Sequence, residues 1–376
     1  AHRQPPQLKG YVDSTLVFGV PIVSFALQAS LVHEFEYGLA WSAAGLGVFY
    51  IGLASLLWKR EPQGLRLLTE AFLALGIVFA TLVIPFALEG EWTAAAWALE
   101  GAAMIWIGVK QQRLLARLFA LLLQLAAGSM FLLEVEGISD SVPVLNGIYL
   151  GALAISLAGL FSAYYLQAHR QRLAHQEYPV SLALFVWGSL WWYLAGIHEV
   201  LEHTPGRYES TLLLLFFTAS SAVAYFLNRR LDWKAIYYPV LVLLPLAIAV
   251  LVMDFSKARF THPFADYGYI SWLVVLGFYY YQLWQQDSQR EPVLLLWQHR
   301  VIFWLGSVMI TLELAWAVDQ LVEGAGTWSF IMWGVVPALL LKLASGSADW
   351  CRWPVARHYS DYLGITSLPL LAGMML

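Results

Sequence analysis

Charged residues are scarce in this sequence, and their scarcity limits the folds that the chain can adopt. They make up only 12% of the 376 residues, whereas hydrophobic residues make up 60%. A soluble domain carries about 25% charged residues, so a water-soluble fold with this composition would expose too much apolar surface. We therefore expect the chain to lie in lipid, which only helices or a closed barrel can span.

Cysteine and several catalytic motifs are also missing. The single cysteine, Cys351, excludes an internal disulfide and a cysteine-based metal site. The chain contains no GxxxxGK[ST], no GxGxxG that opens a helix and no GxSxG, so it lacks the common phosphate, dinucleotide and serine-nucleophile motifs. No basic patch with interleaved aromatic residues is present, and we therefore expect no nucleic-acid partner. We predict no metal and no cofactor.

Long apolar runs fill the rest of the sequence, and they do not alternate with a period of two. This pattern favours helices over a barrel. It predicts an all-α polytopic bundle of 12–13 transmembrane spans, in which the lipids of the membrane are the main partner. The predicted spans are 10–32, 37–58, 64–88, 91–109, 113–134, 143–168, 179–200, 209–228, 234–253, 267–285, 293–320, 327–345 and 360–376.

The charge of the predicted loops alternates along the chain. Of the 21 Lys and Arg residues, all but Arg207, Lys257 and Arg259 fall on the same side of the predicted membrane. Cytoplasmic loops carry the excess of basic residues, so we expect the N-terminus of this chain to be cytoplasmic. Most acidic residues fall on the opposite side, and insertion does not require this. The acidic rim leaves room for an envelope or periplasmic protein partner.

The alternating loops predict antiparallel helical hairpins that all have the same orientation. Such hairpins can be internal repeats. Residues 31–60 resemble 196–230 and residues 87–110 resemble 321–342, each with a His-Glu or Glu-Gly pair near its outer turn. A membrane protein with short loops also shows regularly spaced hairpins without any internal repeat. We expect one transmembrane domain over 1–376. Because the chain starts at Ala1 and stops in an apolar run, we expect it to be part of a longer protein.

Glu100 lies in the middle of the fourth predicted span, where a charge costs about 2.5–3.5 kcal/mol. A ridge of small residues, Ala94, Ala98 and Ala102, predicts that this helix packs closely against other helices. Glu100 is therefore expected to be buried among neighbours. Two interpretations stay open: a proton-linked or cation-binding carboxylate, or a neutral hydrogen-bonded acid that fastens two helices together.

Two more acids lie inside predicted spans. Glu313 sits about two-thirds of the way outward in its span. If Glu313 and Glu100 faced one cavity, their mutual repulsion would raise the pKa of at least one of the two carboxyl groups. Glu70 is nearer the inner surface with Arg66 four residues before it, which favours a salt bridge that reaches the interface.

The segment IHEVLEH, residues 197–203, contains a cluster of histidines and acids. The pairs His198 with Glu202 and Glu199 with His203 are each four residues apart, so each pair shares a helix face. A metal site needs three or four convergent ligands, which His33 or Glu34 could complete. The alternative is a solvated helix end at the outer rim.

The residues around Glu100 carry a family resemblance. The segment IPFALEGEW, followed by WALEGAAMIWIG, QQR and LLARLFALLLQLAAG, resembles the bacterial polytopic membrane proteins grouped as DUF2339. Its most specific part is Trp97–Ala103, and the match covers about 84–128. The resemblance implies a bacterial inner-membrane location and assigns no reaction or ligand.

Three functions are compatible with these features. The first is a transporter or flippase that handles a solute or an envelope lipid-linked substrate, with Glu100 as its intramembrane switch. The second is a membrane-embedded envelope-modifying enzyme that uses His198, Glu199, Glu202 and His203 on its outer face. The third is a structural scaffold in which the buried acids hold helices together.

Overall fold

The structure is a computed structural model, and it describes most of the chain. The described residues are 11–32, 35, 37–60, 66–87, 90–134, 142–231, 233–257, 261–287, 292–322, 326–347, 353–354, 357–358, 361–365 and 367.

Over these residues the chain is all-α, which confirms the predicted fold class. No strand occurs in the described ranges. The helices are α1 Tyr11–Val32, α2 Gly38–Arg60, α3 Arg66–Ala87, α4 Gly90–Lys110, α5 Leu114–Glu134, α6 Gly147–Ala168, α7 Tyr178–His203, α8 Glu209–Arg230, α9 Tyr238–Phe255, α10 Gly268–Gln286, α11 Pro292–Leu321 and α12 Gly326–Ser347.

These helices match the first twelve predicted spans to within a few residues at each end. Eight of them are long and apolar enough to cross a membrane: α2, α5, α6, α7, α8, α9, α11 and α12. Helices α1 and α3 contain the shorter apolar stretches Gly19–Val32 and Leu68–Val83. The thirteenth predicted span lies largely outside the described residues, and its described part is a π-helical turn, Asp361–Ile365.

Local sequence explains where several helices begin and end. The Asn146 side chain caps α6 by accepting a 2.6 Å hydrogen bond from the Tyr149 backbone N–H, which satisfies one of the free donors of the first turn. Pro239 lies in the first turn of α9, where a missing N–H costs nothing. Lys110 lies in the last turn of α4, where its positive charge interacts favourably with the negative end of the helix dipole.

The chain packs as two compact units, residues 1–195 and 196–376, and each is described here by itself. The boundary falls within α7. The single transmembrane domain expected from the sequence stays a prediction.

Small residues dominate the core of unit 1. The predicted ridge of Ala94, Ala98 and Ala102 is buried in a cluster with residues of α5, α6 and α7. Helix α2 packs most extensively against α3, and α4 against α5 and α6. The loops from α2 to α3 and from α4 to α5 are basic, so these contacts cross the boundaries between predicted hairpins.

Helices α6 and α7 approach each other through glycines. A Cβ at Gly188 would lie 2.7 Å from the Leu160 backbone nitrogen and 2.8 Å from the Ser156 carbonyl oxygen. The Ser156 hydroxyl donates a 2.8 Å hydrogen bond to the Gly188 carbonyl. Close backbone approach of this kind is how helices associate without a hydrophobic driving force.

Unit 1 also contains a buried ion pair. Arg117 donates from Nε and from one terminal nitrogen to the two oxygens of Glu177, at 2.6 and 2.8 Å. The other terminal nitrogen of Arg117 donates to the Gly108 carbonyl at 2.9 Å, and Glu177 accepts a 3.0 Å hydrogen bond from Ala174 N–H. The pair therefore ties α4 and α5 to the segment that precedes α7.

In unit 2, α8 packs against α9 and α10, and α11 packs against α12. Its interior contains a cluster of buried polar side chains, in which Gln282 Nε2 has no hydrogen-bond partner among the described residues. The buried Tyr237 hydroxyl lies 3.0 Å from Gln282 Oε1 and 2.6 Å from Gln286 Oε1, and Gln286 Nε2 donates to Gln282 Oε1 at 2.7 Å. The interior of unit 2 therefore contains buried side-chain contacts among tyrosine and glutamine residues.

Candidate functional site

A polar pocket lies in unit 2, where α8 begins and α9 ends. Its centre is Ser210, whose hydroxyl donates a hydrogen bond to the Asp254 carboxylate. Lys257 Nζ donates to Ser210 Oγ at 3.0 Å and to Glu209 Oε2 at 3.2 Å, and it lies 3.3 Å from Asp254 Oδ1. Ser210, Asp254 and Lys257 border a cavity with a volume of about 50 Å³.

Two acids flank the Lys257 side chain. Its Nζ lies 3.2 Å from Glu209 Oε2 and 3.3 Å from Asp254 Oδ1, so Lys257 forms ion pairs with both residues. The pocket presents charges of both signs beside a hydroxyl, an arrangement suited to binding a polar group that is both donor and acceptor.

The turn between α9 and α10 closes the pocket. Asp266 and Tyr267 have φ angles of 48° and 66°, an uncommon left-handed conformation for residues other than glycine. A Cβ at Gly268 would lie 2.1 Å from the Pro263 carbonyl oxygen, so this position requires glycine. The turn is attached to α8 through Thr211, whose hydroxyl donates a 3.0 Å hydrogen bond to the Asp266 carbonyl.

Glu313 fastens the same turn from α11. Its Oε2 lies 2.9 Å from His262 Nδ1 and accepts a 3.3 Å hydrogen bond from the Phe264 backbone N–H. The His262 ring stacks on Trp316 with a centroid distance of 3.7 Å. The structure therefore gives Glu313 specific partners in the turn that borders the pocket.

An apolar groove lies directly beside the polar pocket, because Thr211 lines both. The groove has a volume of about 530 Å³ and opens to the surface. Its walls carry mainly aliphatic and aromatic side chains, contributed by His203, Thr204, Pro205, Tyr208, Thr211, Leu212, Leu215, Tyr267 and Ile270. A polar pocket that shares a wall with an apolar groove has the chemical form of an amphiphile site.

One residue of the predicted His/Glu cluster lines the apolar groove. His203 lines the groove, and its Nδ1 lies 3.2 Å from Glu199 Oε1. His198 and Glu202 are exposed on α7. His33 and Glu34 lie outside the described residues. The structure thus brings two of the predicted cluster residues together, and the enzyme hypothesis built on the cluster stays a prediction.

Glu100 lies in unit 1, where it contacts Thr81 of α3. Thr81 Oγ1 is 2.9 Å from the Ile77 carbonyl oxygen and 2.5 Å from Glu100 Oε1. A hydroxyl supplies only one proton, so both contacts are hydrogen bonds only if Glu100 carries a proton of its own. The other oxygen, Oε2, is buried without a hydrogen-bond partner among the described residues.

Glu70 forms an ion pair that the sequence did not indicate. Its Oε1 accepts a 2.9 Å hydrogen bond from Arg113, which lies 43 residues further along. Both side chains are partly exposed. The side chain of Arg66, the partner expected from spacing, lies outside the described residues.

Sequence reasoning did not identify the pocket residues Ser210, Asp254 and Lys257. A signal existed, because GRYES and DFSK are polar segments at the ends of otherwise apolar helices. Their meeting depends on the packing of α8 against α9, which their spacing of 44 to 47 residues does not reveal.

Comparison with known proteins identifies a family but no characterised relative. The family described as "Predicted membrane protein (DUF2339)" matches residues 1–376, the whole chain. No curated protein matches. No solved structure matches either.

Proposed function

The chain belongs to the DUF2339 family of predicted membrane proteins, and from this premise we propose that it handles an amphiphilic, lipid-linked substrate as a transporter or flippase. The observation that carries the proposal is the shared wall at Thr211, which joins the polar pocket to the apolar groove. The pocket would take a headgroup, and the groove would take the hydrocarbon chain that is attached to it.

The composition of the pocket restricts the headgroup. Arg207 and Lys257 supply positive charge, and Asp254 and Asp266 supply negative charge on the same lining. We therefore infer a headgroup with a phosphate and a hydrogen-bond donor, such as a phosphoamine or phosphoglycerol.

The cellular setting is part of the same proposal. The family resemblance supports the bacterial inner membrane, and the basic loops support a cytoplasmic N-terminus. In that orientation the polar pocket opens toward the envelope side. An envelope or periplasmic protein is then a natural partner at the acidic rim, and the lipids are both solvent and substrate.

Lipid-dependent stability tests the site directly. The purified full chain in detergent is heated with added phosphatidylethanolamine, phosphatidylglycerol or phosphatidylcholine, and Tm is measured. We expect the first two lipids to raise Tm, since a ligand that binds only the folded state stabilises it. Phosphatidylcholine should not, because its headgroup has no donor for Asp254.

Two variants and one control sharpen this test. Asp254→Asn removes a pocket charge, and Ile270→Trp fills the groove from an exposed position; each should abolish the lipid-dependent rise. Ser329→Ala is the control, since that exposed hydroxyl donates to Gly326 O of its own helix turn and lines neither the pocket nor the groove. Equal stabilisation of all variants by all three lipids would contradict the proposed site.

A second observation favours a proton-linked role for Glu100 in the same process. Its buried Oε2 without a described partner and its short contact with Thr81 fit a carboxyl group that exchanges a proton. In proteoliposomes, Glu100→Gln should abolish transfer of a fluorescent phosphatidylethanolamine between leaflets and leave the folded yield nearly unchanged. Glu70→Gln is the control. A destabilised Glu100→Gln with normal transfer would favour the scaffold.

A further inference from the structure

A second cluster of polar side chains lies in unit 2, away from the groove and pocket residues in sequence. Asp287 follows α10, His299 lies in the second turn of α11, and His358 lies in the segment before the π-helical turn. Each can offer one ligand atom, and these atoms all lie within 4.8 Å of one another. From this geometry we propose that Asp287, His299 and His358 form a binding site for a divalent transition-metal ion.

Burial is the first reason to assign a metal. His299 is completely buried, and the side chains of Asp287 and His358 are 3% and 12% exposed. Nε2 of His299 has no hydrogen-bond partner among the described residues. A buried ring nitrogen without a partner is costly, and a metal ion at this site would satisfy it.

Surrounding residues hold the three side chains in place. His299 Nδ1 lies 3.0 Å from the Tyr362 hydroxyl, which orients the ring and leaves Nε2 for a ligand. Asp287 Oδ2 accepts a 3.1 Å hydrogen bond from Trp353 Nε1 and forms an ion pair with Arg357, whose Nε lies 2.9 Å away. Oδ1 is left to face His358 Nε2 at 2.7 Å. Metal ligands are characteristically supported by such outer partners.

The donor set indicates the class of ion. Two imidazole nitrogens and one carboxylate oxygen suit Zn²⁺, Fe²⁺ or Co²⁺, whereas Mg²⁺ and Ca²⁺ prefer oxygen ligands only. Three protein ligands leave at least one coordination position for water or another small ligand. The site would therefore be an open centre and not a closed structural one.

The competing explanation is a network of ion pairs without a metal. His358 and Arg357 both contact Asp287, and together they could neutralise its charge. This network leaves His299 Nε2 unexplained, and Arg357 is 55% exposed, so solvent screens its charge. Metal binding accounts for both histidines at once.

Cobalt binding decides between the two explanations. The full chain, purified in detergent without a polyhistidine tag and stripped with EDTA, is titrated with Co²⁺ and its visible absorption is recorded. We expect one ion per chain, with the intense bands of four- or five-coordinate cobalt, displaced by Zn²⁺. The weak spectrum of hydrated Co²⁺ throughout the titration would overturn the proposal.

Variants locate the ion. His358→Gln should weaken Co²⁺ binding by more than the roughly 10–100-fold typical of changes around a metal site, and Tyr362→Phe should weaken it by about tenfold. His175→Gln in unit 1 is the matched control and should bind as the wild type does. Unchanged affinity in folded His358→Gln would overturn the assignment. If that variant does not fold, the wild-type spectrum and Tyr362→Phe decide.

Discussion

The two units of the chain solve the problem of burying polar groups in lipid in different ways. Unit 1 brings helices together through alanine and glycine, and it contains a buried bidentate ion pair, Arg117 with Glu177. Unit 2 places Lys257, Asp254 and Asp287 near the ends of its helices and Glu313 within α11, each with neighbouring polar partners.

This difference suggests that unit 1 mainly provides a packed helical framework and that unit 2 provides most of the polar groups that can bind a ligand. Close packing of small residues fixes helix positions but offers a ligand little to bind. Polar groups on ordered helix ends can bind ligands, and they tend to mark functional sites in membrane proteins. With the exception of Glu100, unit 1 is therefore expected to respond to mutation through stability, and unit 2 mainly through binding.

The buried pair of unit 1 should produce the largest effect. Arg117→Met leaves the buried carboxylate of Glu177 without its cation, and breaking such a pair costs about 3–5 kcal/mol. Unfolding in mixed detergent and SDS micelles, followed by far-UV circular dichroism, measures this change.

Arg113→Met is the matched control for that experiment. It removes an ion pair with Glu70 whose side chains are 45% and 32% exposed, and exposed pairs contribute about 0–1 kcal/mol. Equal losses from both variants would mean that burial does not distinguish the two pairs, and the framework role of Arg117 would be wrong.

The turn that borders the polar pocket should show a smaller and local effect. Glu313→Met removes the acceptor for His262 and for Phe264 N–H, and hydrogen bonds to charged groups contribute about 1.5–3 kcal/mol. Hydrogen exchange of the 261–267 amides should become faster, while unit 1 stays unchanged. Glu202→Met on the exposed face of α7 should leave these amides as they are in the wild type.

Glycine-to-alanine substitutions should have the smallest effects, and these effects should differ between a tightly packed glycine of unit 1 and an unpacked glycine of unit 2. Gly188→Ala places a methyl group against the backbone of α6, and overpacking of this kind costs about 1–3 kcal/mol. Gly277→Ala in α10 meets nothing within 4 Å and should be neutral or stabilising by up to about 1 kcal/mol. Equal destabilisation in thermal unfolding would contradict the close α6–α7 contact.

The fold was predictable because lipid imposes a simple rule on sequence. Each span needs about 20 apolar residues, and the predicted spans fell within a few residues of α1 to α12. The small-residue ridge at Ala94, Ala98 and Ala102 was also visible, because its spacing lies within one helix. Helix pairing was less accessible, since α4 contacts α6 without being its neighbour in sequence.

The sites were only partly predictable, for the same reason. Glu199 and His203 are four residues apart, and their contact could be predicted from helix geometry. Glu70 and Arg113 are separated by 43 residues, and Arg117 and Glu177 by 60. Such contacts depend on which helices meet, and a single sequence contains no direct record of that.

The Arg117–Glu177 pair has a consequence for biosynthesis. Arg117 leaves the ribosome 60 residues before Glu177, a delay of about 3–12 s at typical rates of translation. During that interval Arg117, near the start of α5, lacks its carboxylate partner. The early helices can reach their final arrangement only after the segment that begins α7 has been made, so a ribosome stalled before residue 177 should hold an incomplete, protease-sensitive intermediate.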